Sequence, residues 1–374
     1  MESSKDVAII TIHFGTNHGS VLQAYALSNY INSIGWNARI IDYIPQRYTI
    51  WNALVQRKHV KYPLPILAAY YPIAVMKRIR VRNLFDHFVN SNLRLTKRYR
   101  SKEALQNDPP KADVYITGSD QVWNNDYNGN SDLSYFLDFV PADVKRIAYA
   151  ASFGKEDISD QEYLSRIQPL LPRFDSISVR ESDAEGILHK FQIESTHVVD
   201  PVFLLPRKVW STFGNRPTTD QPYTLVYVMD GLYKELLDYA QSIKESTGNK
   251  IYVVSFSKIP DTRVDRCFYL ANPKDFIGLI ENADTVVTNS FHGTAFSILF
   301  QKKFVTVGKT RYNSRMLSLL NKLSLTGHFV PTGAKISQTQ LLSVMQNDNT
   351  QHTASILENW IEESKEFIQT SLGS

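Results

Sequence analysis

The sequence Thr288-Asn289-Ser290-Phe291-His292-Gly293-Thr294 places an imidazole directly after the β-branched run Thr285 to Thr288 and before apolar helical residues. With Asn289 as the expected N-cap, His292 falls in a first helical turn whose unpaired N–H groups attract phosphate or carboxylate. A histidine there can move a proton on a bound anion, or merely hydrogen-bond within a turn. Gly293 is compatible with close approach of a ligand to the backbone.

Four further stretches could carry chemistry. In Thr117-Gly118-Ser119-Asp120-Gln121-Val122-Trp123-Asn124, Gly118 lets the chain turn and Asp120 and Gln121 suit hydroxyls. Trp123 either stacks on the apolar face of a sugar or belongs to the core. The Walker spacing is absent. Arg180, ending the run Ser176 to Val179, is placed for a bidentate contact with carboxylate or phosphate, or for a pair with Glu181 or Asp183. Lys309, Arg311 and Arg315 either line the same edge or are solvated. His13 to Gly19 has glycines before a helix without the dinucleotide fingerprint, and His13 and His18 lack the carboxylate spacing of a metal site, so no metal is expected.

The elements that must hold these residues alternate along the chain. Strands are predicted at Val7 to Ile12, Arg39 to Tyr43, Asp113 to Thr117, Arg146 to Ala151, Ser176 to Val179 and His197 to Val199. The pattern restarts with Tyr223 to Val228, Lys250 to Ser255, Thr285 to Thr288 and Phe304 to Val307. Ser20 with Gln23, and Ser182 with Glu185, have capping-box spacing. Alternation of this kind predicts two doubly wound parallel α/β sheets, with ligands at the carboxyl ends of the strands in the cleft between them. The expected domains are 1–205 with a basic helical insertion at about 45–103, then 206–350, then a C-terminal helix at 351–374.

The 374 residues carry a net charge of +4, but 13 Lys and Arg between Pro45 and Glu103 face only Asp86 and Glu103, leaving that segment at +11 and the remainder at −7. Such a segment suits an anionic partner: nucleic acid, lipid head group or phosphorylated substrate. Within it, Tyr62 to Met76 is a charge-free stretch of 15 residues. It is shorter than the about 20 residues of a spanning helix, and Pro63, Pro65 and Pro72 interrupt it. A hairpin of short helices is expected, with contact at an anionic membrane surface as the other reading. The single cysteine, Cys267, and the absence of a leader-like start set the expectation of a cytoplasmic location, peripheral to a membrane at most.

Five segments in order and spacing, Asn17 to Leu27, Gly118 to Asn124, Ser178 to Glu181, Asp200 to Val202 and Ser290 to Gly293, resemble the polysaccharide pyruvyl transferase family over roughly residues 6 to 325. The resemblance implies a GT-B-like fold of two Rossmann-type domains. It implies phosphoenolpyruvate as donor substrate, with no other cofactor, and a bacterial surface glycan or its lipid-linked precursor as acceptor. Carried over by position, His292 resembles the general acid/base, and Arg180 and Arg315 resemble donor-binding cations. Ser290, Phe291 and Gly293 fall on the donor side, and Asn17, Gly118, Ser119, Asp120, Gln121 and Trp123 on the acceptor side. Relatives with arginine in place of Ser290 would hold the donor differently.

The implied reaction protonates C3 of the enol and closes a pyruvate ketal on two sugar hydroxyls with loss of phosphate. Two other readings remain open on the sequence: a nucleotide-sugar glycosyltransferase of the same fold, and a nucleic-acid-binding protein using the basic segment. The first shares the helix-terminal phosphate site. The second predicts a salt-dependent affinity for polynucleotide and no loss when His292 is changed, and no nucleic-acid partner is expected.

Overall fold

The computed structural model describes residues 5–48, 64–219, 221–229, 232–256, 258–346 and 350–373. Short runs rich in Val, Ile and Tyr form strands buried on both faces, as parallel sheets covered by helices require. The first sheet contains β1 (Asp6–Ile10), β2 (Asn37–Ile40), β3 (Val114–Thr117), β4 (Lys145–Ala151), β5 (Ser176–Val179) and β6 (Thr196–His197), in the spatial order β2-β1-β3-β4-β5-β6. The second contains β7 (Tyr223–Tyr227), β8 (Lys250–Val254), β9 (Arg266–Phe268), β10 (Thr285–Thr288), β11 (Lys303–Val307) and β12 (Phe329–Val330), in the order β12-β11-β10-β7-β8-β9. Every pairing between these strands is parallel. Counted from β7, the second sheet has the 3-2-1-4-5-6 order of a Rossmann fold.

The helices that position the site are α1 (His18–Ser33), α2 (Leu64–Asn92), α3 (Ser182–His189), α4 (Pro273–Glu281), α5 (Phe291–Leu299), α6 (Ser314–Lys322) and α7 (Thr350–Leu372). The outer faces of the sheets have their own apolar cores, around Trp123 and Tyr163 in the first and around Leu237 and Val253 in the second. The inner faces share one core running from Val21 and Phe85 through Tyr227 and Phe276 to Trp360. The two halves are therefore joined by continuous apolar packing. Helix α7 returns from the second half to the first, where the Trp360 indole donates to His197 O at 2.9 Å and the Ser364 hydroxyl accepts from Val199 N at 3.0 Å.

Four expectations are corrected. Helix α2 is one element of 29 residues from Leu64, not a hairpin, and continues through Pro72; Tyr62 and Pro63 lie outside the described residues. Its later turns gain from burial of Val81, Phe85, Phe88 and Val89. The Ser20 and Ser182 capping boxes do not form. Asn17 caps α1 by accepting from Gly19 N, while Ser20 and Gln23 turn inward to Asp120 and Thr11. Glu181 occupies the cap position of α3 without a side-chain cap bond. Strands β9 and β12 were not predicted: they are edge strands of three and two residues, too short to show a period.

Candidate functional site

Both sheets reverse their winding at a switch point, β1/β3 in the first and β7/β10 in the second, the position where ligands bind in folds of this kind. The loops after β1, β3 and β5 bring in Gly19, Ser119, Asp120 and Arg180, the loop after β6 brings Asp200, and β10 leads into His292. Residues scattered from 19 to 292 thus converge.

At the centre Arg180, 2% exposed, is bound by two aspartates: its Nη1 lies 2.7 Å from Asp200 Oδ2 and its Nη2 3.4 Å from Asp120 Oδ1. The Ser119 hydroxyl accepts from Arg180 at 3.2 Å and donates to Asp200 at 3.0 Å, and the Ser20 hydroxyl donates to Asp120. Burial would raise the Asp200 carboxyl, but His292 and Arg180 outweigh it and hold it far below the ordinary carboxylate value. Asp120 is likewise lowered, against its burial, by Arg180 and then His292. Glu181 goes the other way, pushed up by burial, with Oε1 held by Ser152 and Gly154 N. Arg180 therefore has carboxylate partners, but Asp200 and Asp120 rather than Glu181 or Asp183.

His292 is 4% exposed in the first turn of α5. Its Nε2 has no hydrogen-bond partner among the described residues and stands 3.6 Å from Asp200 Oδ2, close enough for charge pairing. Its ring rests on the backbone of Gly19, where a Cβ would meet Nδ1 at 1.9 Å. The N-cap is Ser290, which accepts from Gly293 N, not Asn289, whose Oδ1 accepts from Met229 N at 3.0 Å. Phe291 lies between two cations, with the Arg180 guanidinium carbon 4.6 Å and that of Arg315 5.9 Å from its ring centroid. Arg315 makes no ion pair among the described residues, and its buried Nε has no partner. Burial, reinforced by Arg180, lowers its affinity for its proton.

Several residues occupy other roles than expected. Trp123 is fully buried, stacked on Phe136 at 5.0 Å, with its indole donating to Tyr135 O at 3.1 Å, so it cannot receive a sugar. The left-handed residue of that turn is Asp120, with φ of 74°. Gly118 is needed for packing instead, since a Cβ would meet Thr11 Cβ at 3.0 Å. Gly293 is explained the same way, by Thr288 Oγ1 at 2.4 Å from a built Cβ. Gln121 accepts from Asn124 at 2.9 Å, and Asn17 is used as a helix cap. His13 pairs with Asp42 at 3.3 Å.

His18 crosses between the halves. Its Nε2 donates to Ala271 O at 2.9 Å, Tyr227 OH donates to its Nδ1 at 3.1 Å, and its ring stacks on Phe276 at 4.7 Å. Burial drives it down to about 4. Neither histidine belongs to a cluster of metal-ligating side chains among the described residues. Sequence reasoning gave Asp200 no role, although an aspartate before Pro201 at a strand end was visible; Gly19 was seen only as part of its loop.

A family model described as polysaccharide pyruvyl transferase matches residues 17–309. No curated protein matches significantly. Among solved structures, UDP-N-acetylglucosamine 2-epimerase from Rickettsia bellii is similar with a TM-score of 0.56 at 10% identity, covering 99% of this chain and 97% of that one. UDP-GlcNAc 2-epimerase from Neisseria meningitidis, bound to UDP-GlcNAc, gives a TM-score of 0.51 at 10% identity, covering 98% and 99%. These likenesses concern the fold, which is GT-B-like.

Proposed function

The chain belongs to the polysaccharide pyruvyl transferase family, and we propose that its pyruvyl donor is phosphoenolpyruvate and its acceptor a sugar of a surface polysaccharide or lipid-linked precursor. The observation that carries this reading is Arg315. A guanidinium with no ion pair among the described residues, 5.9 Å from the ring of Phe291 in the first turn of α5, is a receptor for an anion whose chemistry needs a proton. Arg180 is already compensated by Asp120 and Asp200, so its part is to fix the cluster.

In the proposed reaction Arg315 and the N–H groups at the start of α5 hold the donor's phosphate and carboxylate. His292 delivers a proton to C3, C2 becomes electrophilic, and one sugar hydroxyl adds there. Phosphate leaves, and a second hydroxyl of the same sugar closes the ketal. The two hydroxyl protons balance the new methyl C–H and the hydrogen phosphate released, so no further cofactor is required. Asp200, kept ionised, is the counter-charge whenever the imidazole holds a proton.

Titration calorimetry with phosphoenolpyruvate tests the donor assignment. The wild type binds it, R315A weakens it, and UDP-GlcNAc does not displace it. Binding of UDP-GlcNAc with no response to phosphoenolpyruvate would instead favour a nucleotide-sugar transferase.

The acceptor's lipid end gives the basic segment a task. Among the described residues no helix is long and apolar enough to cross a membrane, but α2 exposes Met76 and Ile79 beside Arg78 and Arg80. This stretch suits peripheral contact with anionic lipid. Neutralising Arg78, Arg80 and Arg82 should release the protein from phosphatidylserine vesicles and leave phosphoenolpyruvate affinity unchanged.

A further inference from the structure

With Trp123 buried, the ring that meets the acceptor sugar must lie elsewhere, and an aromatic rim joins the two halves beside the catalytic cluster. Phe14, in the loop between β1 and α1, has its ring 5.1 Å from that of Tyr48. The Tyr48 hydroxyl donates to Tyr127 O at 2.6 Å. The Tyr127 ring is 6.3 Å from that of Tyr312, whose hydroxyl donates to Asp126 across the junction.

The rim is carried by the same loops as the site. Phe14 precedes Asn17 and Gly19, Tyr127 follows the turn at Asp120 in a short helix capped by Asn124, and Tyr312 precedes Arg315 at the start of α6. Tyr127 lies within electrostatic range of Arg315. It is also 48% exposed, whereas Phe14, Tyr48 and Tyr312 are half-buried. A half-exposed tyrosine tilted against the Tyr312 ring and followed on the rim by the Tyr48 and Phe14 rings, with Asp126 beside it, matches a pyranose, which offers an apolar C–H face for stacking and hydroxyls at its edge.

We propose that this rim is the acceptor subsite, with Tyr127 as the platform for the apolar face of the sugar to be pyruvylated. The proposal rests on the pyruvyl transfer reading, and its test separates the two. Saturation-transfer NMR is recorded on the full chain with methyl β-D-galactopyranoside, methyl α-D-mannopyranoside and methyl β-D-glucopyranoside as probes. The wild type transfers saturation to ring protons of at least one probe. Y127A weakens that interaction about 2–10-fold, as loss of one aromatic contact implies. Y127F restores it, and phosphoenolpyruvate affinity on the same samples is unchanged in Y127A.

Absence of transfer to all three probes, or transfer unchanged in Y127A, overturns the assignment. Sugar signals that follow Tyr127 in a protein that does not bind phosphoenolpyruvate would support the rim and count against the donor.

Discussion

The His292 imidazole lies against the backbone of Gly19, so that any Cβ at residue 19 would stand 1.9 Å from Nδ1. The first half of the protein thus sets the position of the imidazole that we propose transfers the proton, carried by the second. G19A must displace the ring, and a displacement of about 1 Å at a reacting group costs about 10²-fold in rate. The expected outcome is a loss of kcat of that order with the circular dichroism spectrum unchanged. Full activity in G19A would mean that this contact does not position His292.

Asp200 serves both Arg180, at 2.7 Å, and His292, at 3.6 Å. D200N removes the nearer of the two carboxylates on the buried Arg180, leaving Asp120, and should cost about 1–3 kcal/mol. Because the folded carboxyl lies below its unfolded value of about 4, this stabilisation is complete above pH about 4 and lost as pH falls toward the folded value. Urea unfolding of wild type and D200N at pH 7 and pH 3 checks this: the gap narrows at pH 3. A gap independent of pH would contradict it.

His18 and His197 are both driven down by burial to about 4. A neutral buried histidine stabilises fully above its unfolded value of about 6.5, and that contribution is lost as pH falls from there to about 4, of the order of 3 kcal/mol for each. H18F keeps aromatic packing on Phe256 and Phe276 but cannot titrate. Thermal unfolding should show about half the wild-type pH dependence in that window for H18F. An unchanged pH dependence would show that His18 does not cause it.

Trp123→Ala removes a fully buried indole stacked on Phe136. The expected cost is about 3–5 kcal/mol of stability from the cavity. At temperatures where the variant is folded, its KM for acceptor should match the wild type. A selective rise in that KM at full stability would return Trp123 to the acceptor site.

The contrast between Trp123 and His292 shows what the sequence made legible. Strands β5 and β10 are long enough for their apolar runs to be read residue for residue, and His292, Arg180 and Arg315 stand beside strand ends where function concentrates. The partners of those residues are set by folding across the chain. Nothing local tells Ser20 to satisfy Asp120 rather than cap its own helix, or Asn289 to serve Met229 N instead of α5. A tryptophan in a strand-end turn reads the same whether its ring faces solvent or Phe136. The pairing of Asp200 with His292, and the need for Gly19 beneath it, exist only once the two halves meet.

We propose that His292 transfers the proton that makes phosphoenolpyruvate a pyruvyl donor. The most direct test is phosphate release from phosphoenolpyruvate with a panel of lipid-linked glycans, comparing wild type with H292Q and following the acceptor by mass spectrometry. One phosphate is expected for each pyruvate ketal formed by the wild type, and a rate reduced about 10²–10⁴-fold in H292Q. Near-normal ketal formation by H292Q, or no phosphate release by the wild type with any acceptor, would contradict it.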